Sequence, residues 1–361
     1  MENTITNRQL FFLIPITMSA STMNIMTTMV PVAGRGSWIS LLIAAVVFAI
    51  AAFLIVRLNN KFEGMMLFEY SKILTGKGMA YFLGFFYIAT FLIVAVFLNI
   101  YTLGLLQAQF YPDIPREMML FIGVMVYGWI AYKGITNVCR FLEIIGVIAL
   151  AVTVAIHVIM LMQGESCNIL PFFNKAEVVD YLSAVKEASV YFVTLSVITI
   201  IPMTRKNGKK AERTAFWATI VLGLVYILVF ESCVKILGIH NISNYEFPMV
   251  EAIKVVDAPM IERFDILFLT SGFLGEVAGT AIFYLVIVEY ICKMFPKASR
   301  GWVVTITGVI QIILALLTMD LKNAVKLFES IYMPVGLVCT VLIPCLLLLI
   351  ARYKKRVPQK G

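Results

Sequence analysis

Residues 41–56 read LLIAAVVFAIAAFLIV, an unbroken apolar run that stops at Arg57. With its flanking residues it forms a stretch, 37–57, long enough to cross the roughly 30 Å hydrocarbon core of a bilayer as a helix. A membrane β-strand is excluded because barrel strands alternate apolar and polar residues, whereas this run is continuously apolar. The stretch therefore predicts a transmembrane helix.

Runs of the same kind recur along the whole chain. Of its 361 residues, 61% are hydrophobic and 14% are charged, and the mean hydropathy is +0.93. We predict ten spans, at 9–30, 37–57, 79–107, 117–133, 141–162, 185–203, 214–237, 264–294, 301–319 and 331–351. This composition excludes a soluble globular domain and indicates an all-α polytopic membrane protein, with residues 1–361 forming one integral membrane domain.

Lys and Arg residues predict the orientation of the spans, because they are retained on the cytoplasmic side. Twenty of the 29 lie before the first predicted span, in or at the edges of every second gap, and at Arg352 with the basic tail, 353–361. The gaps between carry acidic residues instead, such as Glu165, Glu177 and Asp180. We therefore predict that both termini are cytoplasmic.

The sequence gives little support for nucleic-acid binding, metal binding or catalysis. The net charge of +8 follows from this asymmetry, and it predicts contact with anionic lipid headgroups rather than binding to nucleic acid. The six cysteines lack metal-ligand spacing, and we expect neither a metal nor another cofactor. Only the outer gaps 163–184 and 238–263 are long enough to fold outside the bilayer. Neither contains a phosphate-binding glycine loop or a catalytic triad, so we do not expect an enzyme.

Glu276 is the clearest functional candidate inside the membrane. It lies about twelve residues into the eighth predicted span, where a charge costs roughly 2.5–3.5 kcal/mol. Ser271, Gly275 and Gly279 recur every fourth residue beside it, and such a stripe of small residues lets neighbouring helices approach closely. Glu276 is therefore expected to face protein, either as a proton or cation site or as a hydrogen-bonded anchor of the helix.

Polar residues in the first and sixth spans predict the rest of a site. Those of the first span precede Pro31, and those of the sixth precede Pro202. Polar, interrupted helices at matching positions of two five-span halves indicate a mid-membrane site in inverted-repeat transporters. The candidate ligand-binding residues are Ser21, Thr22, Asn24, Tyr87, Thr194, Ser196, Gly272 and Glu276. We expect Glu276 to face a polar cavity between the first, third, sixth and eighth spans.

Three further ionisable groups are interpreted as structural. His157 in the fifth span is expected to form a hydrogen bond with a neighbouring helix, with a titrating role as the alternative. Two pairs have the helical spacing of interfacial ion pairs, namely Glu231 with Lys235 and Arg140 with Glu143.

Short motifs along the whole chain resemble a known family. The chain opens with Ile5-Thr6-Asn7-Arg8-Gln9-Leu10, and Glu262-Arg263-Phe264-Asp265 stands at the start of the eighth span. Further matching motifs are Trp38-Ile39-Ser40, Phe68-Glu69-Tyr70, Leu74-Thr75-Gly76-Lys77, Arg140-Phe141-Leu142-Glu143 and Phe247-Pro248-Met249. In these motifs the chain resembles the spore-germination permeases, the B-type subunits of endospore germinant receptors, which are distant relatives of the amino acid–polyamine–cation transporters.

The resemblance implies a five-plus-five inverted-repeat fold, with repeats at about 5–165 and 180–352. Its first and sixth helices would be interrupted around a small-molecule site. The resemblance also implies two partners, an A-type membrane subunit and a C-type lipoprotein, and a location in the inner membrane of a spore.

The chain departs from the family pattern at both interruptions. Family members commonly have Gly-x-Gly before the first proline, where this chain has Asn24 and Met26, and often Gly-x-Glu before the second, where it has Thr194 and Ser196. Glycines let the backbone unwind and expose amides to a carboxylate, so their absence argues against the usual capture of an amino acid. Three functions stay open: a sensor of a small nutrient or hydration signal, a secondary transporter of an amino acid or related solute coupled to protons through Glu276, and a scaffold subunit.

Overall fold

The computed structural model describes residues 5–17, 25–170, 178–203, 208–256, 264–319 and 328–354, and these are almost entirely helical. The α-helices are α1 (Asn7–Thr17), α2 (Ile25–Ala33), α3 (Ser37–Asn59), α4 (Leu67–Thr75), α5 (Lys77–Gln109), α6 (Arg116–Tyr132), α7 (Ile135–Gln163), α8 (Ser166–Ile169), α9 (Val178–Phe192), α10 (Gly208–Leu237), α11 (Ile239–Ile242), α12 (Pro248–Lys254), α13 (Phe264–Met294), α14 (Arg300–Leu317), α15 (Met333–Leu337) and α16 (Ile343–Tyr353). The last two helices belong to one helical segment with π-helical turns at Phe328–Tyr332 and Val338–Leu342.

Eight helical stretches among the described residues are long and apolar enough to cross a membrane. They are Ile25–Asn59, Lys77–Gln109, Ile135–Gln163, Val178–Thr199, Gly208–Leu237, Gly272–Met294, Arg300–Leu317 and Ser330–Tyr353. The first and fourth predicted spans contain the shorter helices α1, with 11 residues, and α6, with 17. The prediction of a helical membrane protein is confirmed, and each of the ten predicted runs contains helical residues.

Helix boundaries follow local backbone chemistry. Gly76 and Gly134 have φ angles of 92° and 83°, a left-handed conformation that suits glycine, and α5 and α7 begin directly after them. The start of α4 is capped because the Glu69 carboxylate accepts a hydrogen bond from the backbone N–H of Met66 at 3.0 Å. Pro248 opens α12, at the position where a helix needs no backbone donor.

Two helix pairs form the centre of the protein. α3 packs along α10, and α5 packs along α13. Helices α1, α2, α7 and α9 surround the first pair, α6 and α14 surround the second, and α1 and α7 also contact α13. Helix contacts made by the first five predicted spans have counterparts among those made by the second five. The packing of α1 on α10 corresponds to that of α9 on α3, and the packing of α6 on α13 corresponds to that of α14 on α5.

Burial distinguishes the central helices from those that face lipid. On α14, the exposed fractions of Trp302, Ile306, Val309 and Ile313 are 71%, 54%, 51% and 51%, and their spacing places them on one helical face. The opposite face of α14 includes Gln311, which is fully buried. By contrast, most described side chains of α13 are buried, so α13 is the helix around which polar groups can be kept from lipid.

The sixth predicted span is not a continuous α-helix. It begins at Val178, earlier than expected, and changes to a 3₁₀-helix at Val193–Thr199 before Pro202. Met203 then forms an isolated parallel β-bridge with Ile5. The interruption that the family resemblance implied is therefore present in this span, although the segment Val193–Thr199 contains no glycine.

Candidate functional site

The interrupted segment, Val193–Thr199, is buried throughout. A break in a helix leaves backbone carbonyls without their usual donors, and in lipid each such group costs several kcal/mol. Side chains of other elements donate to backbone carbonyls here: Asn59 Nδ2 to Ile198 O at 2.8 Å and Thr340 Oγ1 to Val193 O at 2.7 Å. The single hydrogen of the Tyr70 hydroxyl is shared between Asn59 Oδ1 at 3.2 Å and Thr199 O at 3.4 Å. Helices α3 and α4 and the last helical segment therefore hold the interruption in place.

The two predicted ligand-binding residues of this segment differ in how their hydroxyl groups are used. Thr194 Oγ1 donates to the carbonyl of Tyr191 at 3.4 Å. Ser196 is 0% exposed, and its Oγ has no hydrogen-bond partner among the described residues. Thr199 Oγ1 donates to the carbonyl of Ser196 at 2.6 Å. Of the three hydroxyls in the segment, that of Ser196 therefore stays available to a bound molecule or to water.

Tyr87, on α5, lies beside the interrupted segment. Its hydroxyl donates to the carbonyl of Cys339 at 2.6 Å, within a π-helical turn, and it lies within interaction range of the Thr199 side chain. The buried side chains of Tyr290 and Tyr332 also lie close to Cys339. The structure thus brings Tyr87 to the segment that carries Ser196, and it commits the Tyr87 hydroxyl to the last helical segment.

The candidate residues of the first span, Ser21, Thr22 and Asn24, lie outside the described residues. The hydroxyl of Thr28, on α2, forms a hydrogen bond with the hydroxyl of Tyr191. Tyr226, on α10, donates to the carbonyl of Tyr191 at 3.5 Å. Helices α2 and α9 therefore meet at Tyr191, a residue that the sequence did not single out.

Glu276, on α13, is 1% exposed, so the prediction that it faces protein is confirmed. Neither carboxylate oxygen forms a hydrogen bond with a residue that the structure describes. Thr102, on α5, is close by, but its hydroxyl donates to the carbonyl of Leu98 at 2.8 Å and has no second hydrogen. A carboxylate without donors in the membrane interior must be protonated or hydrated, because an isolated charge is too costly there.

Buried aromatic residues complete the surroundings of Glu276. Tyr101, on α5, and Tyr127, on α6, lie within electrostatic range of its carboxylate. Neither the Tyr101 hydroxyl nor that of Thr280, one turn further along α13, has a hydrogen-bond partner in the described parts of the chain. The third and eighth spans thus form part of the surroundings of Glu276, and the fourth contributes Tyr127, which no sequence signal indicated. The polar cavity between the first, third, sixth and eighth spans stays a prediction.

The described candidate residues fall into two groups. Tyr87, Thr194 and Ser196 lie at the interrupted segment, whereas Gly272 lies one turn before Glu276 on α13. Tyr101 lies within electrostatic range of Glu276 and of Tyr191, whose carbonyl accepts a hydrogen bond from Thr194. The described residues contain no cluster of three or more His, Cys, Asp or Glu side chains that would hold a metal ion.

One predicted ion pair is wrong at the start of α7. The carboxylate of Glu143 pairs with Arg8 Nε at 2.8 Å rather than with Arg140. On the same helix, His157 is fully buried, and its Nδ1 forms a hydrogen bond with Ser232 Oγ on α10 at 2.7 Å. The expected structural role of His157 as a link between helices is therefore present.

The second predicted ion pair, on α10, is wrong as well. Lys235 Nζ donates to the carbonyl of Leu161 on α7 at 2.5 Å. Glu231 Oε1 is buried and has no hydrogen-bond partner among the described residues. Helical spacing identifies neighbours on one helix, but a carbonyl at the end of an adjacent helix is the partner that Lys235 uses.

Solved structures with a similar fold include two membrane transporters and MhsT in complex with an amino acid. MhsT in complex with L-phenylalanine has a TM-score of 0.59 and 12% identity, over 96% of this chain and 98% of that one. MHP1, a nucleobase-cation-symport-1 family transporter with bromovinylhydantoin bound, has a TM-score of 0.58 and 12% identity, over 98% and 93%. The Eremococcus coleocola manganese transporter has a TM-score of 0.60 and 12% identity, over 95% and 84%. At this identity the likeness concerns the fold alone.

Relatives in sequence point to one biological process. Spore germination protein GerLB of Bacillus cereus is 24% identical over 327 residues, which are 88% of this chain and 86% of the relative. Spore germination protein YndE of Bacillus subtilis (strain 168) is 21% identical over 330 residues, 88% of each chain. The family model described as spore germination protein matches residues 4–323. The chain therefore belongs to the spore germination permease family.

Proposed function

We propose that the chain is the B-type membrane subunit of a spore germinant receptor, which senses a small nutrient signal and couples it to germination. Family membership and the transporter fold support a membrane germination protein. The observation that carries the finer proposal is the buried hydroxyl of Ser196, available within an interrupted helix. In inverted-repeat transporters, substrates bind at such interruptions near the bilayer midplane.

The ligand in this proposal is a small molecule held at the interruption. Ser196, Thr194 and Tyr87 would line it on one side, and Ser21, Thr22 and Asn24 of the first span on the other. Because side chains already occupy the carbonyls of Val193, Ile198 and Thr199, recognition would depend on hydroxyl groups rather than on exposed backbone. Gly272 and Glu276 would form a second, adjoining part of the site.

We further propose ten spans in two inverted repeats, about 5–165 and 180–352, with both termini in the cytoplasm. The recurrence of helix contacts between the two halves supports the repeat. Burial together with the nearby Arg352 and Arg57 lowers the pKa of the Lys61 amino group, and such crowding of cations at one end of the spans is typical of the cytoplasmic side. A reporter fused after Lys209 should lie in the cytoplasm and one inserted near Asn174 outside; both on one side would contradict the topology.

The interrupted segment offers a route from the ligand to partner subunits. Seven residues after Ser196, Met203 pairs with Ile5, and its carbonyl accepts a hydrogen bond from the Gly64 N–H at 3.1 Å. A shift of the segment on ligand binding would therefore displace the first residues of the chain and the turn between α3 and α4. We propose that the A-type membrane subunit senses this displacement, and that a C-type lipoprotein completes the receptor in the inner membrane of the spore.

The test is complementation of a gene deletion, with nutrient-triggered germination and protein abundance as readouts. Ser196→Leu replaces the hydroxyl with a bulky apolar side chain and should abolish the response, whereas Ser196→Ala should raise the nutrient concentration needed for half-maximal germination severalfold. Ser189→Ala is the matched control, because the Ser189 hydroxyl, on α9 in the same predicted span, already donates to the carbonyl of Val185 at 2.8 Å. A normal response from Ser196→Leu at normal abundance would contradict a ligand site at the interruption.

A secondary transporter of an amino acid or related solute is the second candidate function, and the carboxylate of Glu276 favours it. A buried carboxylate without donors can carry a proton across part of the membrane. Solute uptake in the same deletion strain separates the two functions: lost uptake with normal germination favours the transporter. Deletion of the A-type subunit gives an independent test, since a receptor subunit should then lose abundance, whereas an autonomous transporter should persist at normal levels.

A further inference from the structure

A cavity of about 280 Å³ lies where α6 ends and α7 begins. Its walls combine the turn between these helices with Glu289 on α13 and Arg300 at the start of α14. Glu289 follows Glu276 by thirteen residues on the same helix, a distance of about 20 Å. The cavity therefore lies away from Glu276, and its lining includes none of the candidate ligand-binding residues.

The charges around the cavity do not cancel. Arg300 Nη2 pairs with Glu289 Oε1 at 2.6 Å and also donates to the carbonyl of Ala131 at 2.8 Å. Lys133 and Arg140 line the same cavity and form no ion pair with any described residue. One carboxylate thus neutralises one of the three cations, and two positive charges stay uncompensated.

Neutral donors face the same space. The first backbone N–H groups of an α-helix lack intrahelical acceptors, and in α7, of 29 residues, no side-chain cap at Gly134 accepts from them. Thr136, at the second position of α7, lines the cavity, and its Oγ1 is buried without a hydrogen-bond partner in the described chain. Backbone amides at a helix start, a hydroxyl and two cations together form a donor set suited to a phosphate group.

Apolar side chains beside the cavity indicate what else the bound molecule carries. Trp129 and Tyr132, at the end of α6, are more than half exposed, and Lys133 Nζ lies 5.2 Å from the ring centroid of Trp129. Aromatic side chains with cations beside them are typical of the level of lipid headgroups. Along α7, Phe141 and Ile144 are exposed as well, so an apolar surface continues from the rim of the cavity into the membrane.

We propose that this cavity binds the headgroup phosphate of an anionic phospholipid, with Lys133, Arg140, Thr136 and the start of α7 as donors. The acyl chains lie along the exposed apolar face of α7. A free phosphate ion would use the same donors, but it would not need the adjoining apolar surface. The occupied cavity joins α6, α7, α13 and α14, so the lipid links the fourth, fifth, eighth and ninth predicted spans at one membrane face.

Native mass spectrometry of the full-length protein in detergent tests the proposal, with phosphatidylglycerol and phosphatidylcholine as added lipids. The wild type should retain phosphatidylglycerol in preference to phosphatidylcholine. The double variant Lys133→Gln/Arg140→Gln should bind phosphatidylglycerol about 30-fold more weakly, since each cation near a membrane surface contributes about 1 kcal/mol. The charge-preserving Lys133→Arg/Arg140→Lys variant should keep the preference, which separates lost binding from lost folding.

The matched control is Lys209→Gln/Lys210→Gln, which removes two exposed cations at the start of α10, away from the lining of this cavity. It should bind phosphatidylglycerol within about twofold of the wild type. Equal loss of binding in both double variants would mean diffuse charge attraction and would overturn the site. Equal retention of the two lipids by the wild type would overturn it as well. Displacement of phosphatidylglycerol by millimolar inorganic phosphate would identify a soluble anion as the occupant and overturn the lipid assignment.

Discussion

The interrupted segment after α9 and the surroundings of Glu276 both place polar groups deep in the protein, but they differ in whether those groups find hydrogen-bond partners. In the segment, side chains of Asn59, Tyr70 and Thr340 donate to the carbonyls that the break exposes. Around Glu276, two carboxylate oxygens find no donor among the described residues. Since an unsatisfied polar group in lipid costs several kcal/mol, the first region is arranged for stability. In the second region the carboxylate remains energetically unfavourable until a proton, a water molecule or a ligand binds to it.

A second carboxylate on α13 shows that the fold is able to supply a partner. Glu289 is 5% exposed and pairs with Arg300 Nη2 at 2.6 Å. Glu276 is still more buried, but its surroundings are hydroxyl groups and rings rather than cations. The comparison therefore predicts that stability depends on Asn59, Glu289 and Thr340, in decreasing order, and that it depends least on the carboxylate of Glu276.

Asn59→Leu should have the largest effect on stability. It removes the donor to Ile198 O and also the acceptor of the Tyr70 hydroxyl, which donates to Asn59 Oδ1 at 3.2 Å. Ile198 O keeps its bond from the Ile201 N–H at 3.3 Å, and the Tyr70 hydroxyl keeps Thr199 O at 3.4 Å. Two buried hydrogen bonds are lost, at about 1 kcal/mol each, so we expect the free energy of unfolding to fall by about 2 kcal/mol. Thermal unfolding of the purified protein in detergent measures the loss.

The control for Asn59 is Asn241→Ala. The Asn241 side chain also donates to a carbonyl, that of Leu237 at 3.0 Å, but on an exposed turn. Water replaces this bond, so the free energy of unfolding should change by less than about 0.5 kcal/mol. If Asn59→Leu and Asn241→Ala lowered the free energy of unfolding equally, buried side-chain donors would not be what stabilises the interrupted segment.

Glu289→Gln should have the next largest effect, a loss of about 1–2 kcal/mol in the free energy of unfolding. It leaves Arg300 without its carboxylate, and removal of one partner of a fully buried pair costs about 3–5 kcal/mol. Partial exposure of Arg300 reduces that figure through solvent screening. Glu251→Gln is the control, because Glu251 pairs with Lys254 at 2.9 Å on the surface. An unchanged melting temperature for Glu289→Gln would show that the buried pair does not stabilise α13 against α14.

Thr340→Val should cost about 1 kcal/mol, because it keeps the shape of the side chain and deprives only Val193 O of a donor. Thr318→Val is the control, since Thr318 Oγ1 donates to Leu314 O at 2.8 Å at the exposed end of α14. Chemical denaturation of the two variants in parallel should resolve the difference. A smaller loss for Thr340→Val than for Thr318→Val would contradict the role assigned to the last helical segment.

The sequence predicts the helices well because the cost of placing a segment in lipid depends on its own composition. It also predicts the burial of Glu276, since Gly275 and Gly279 mark the packed face of that helix. The sequence does not predict hydrogen-bond partners on other helices, because Asn59 and Thr340 are more than 100 residues from the segment that they contact. For the same reason, helical spacing gave the wrong partners for Glu143 and Lys235. The interruption itself needs no glycine, because side-chain donors compensate for the broken backbone bonds.

Glu276→Gln should have the smallest effect on stability and the largest on function. Glutamine keeps the shape of the side chain and removes only its ionisation, and no described donor depends on that charge. We therefore expect normal abundance and a melting temperature within about 1 °C of the wild type, which corresponds to less than about 1 kcal/mol, together with loss of germination or uptake. Glu276→Leu removes the polar group altogether. Comparison of the two variants therefore shows whether function requires a polar side chain of this shape or a group that can ionise. Glu276→Gln could instead leave germination and uptake unchanged while Glu276→Leu only lowers protein abundance. Glu276 would then be a structural residue that holds α13 against α5 and α6, and the functional role of its carboxylate would be contradicted.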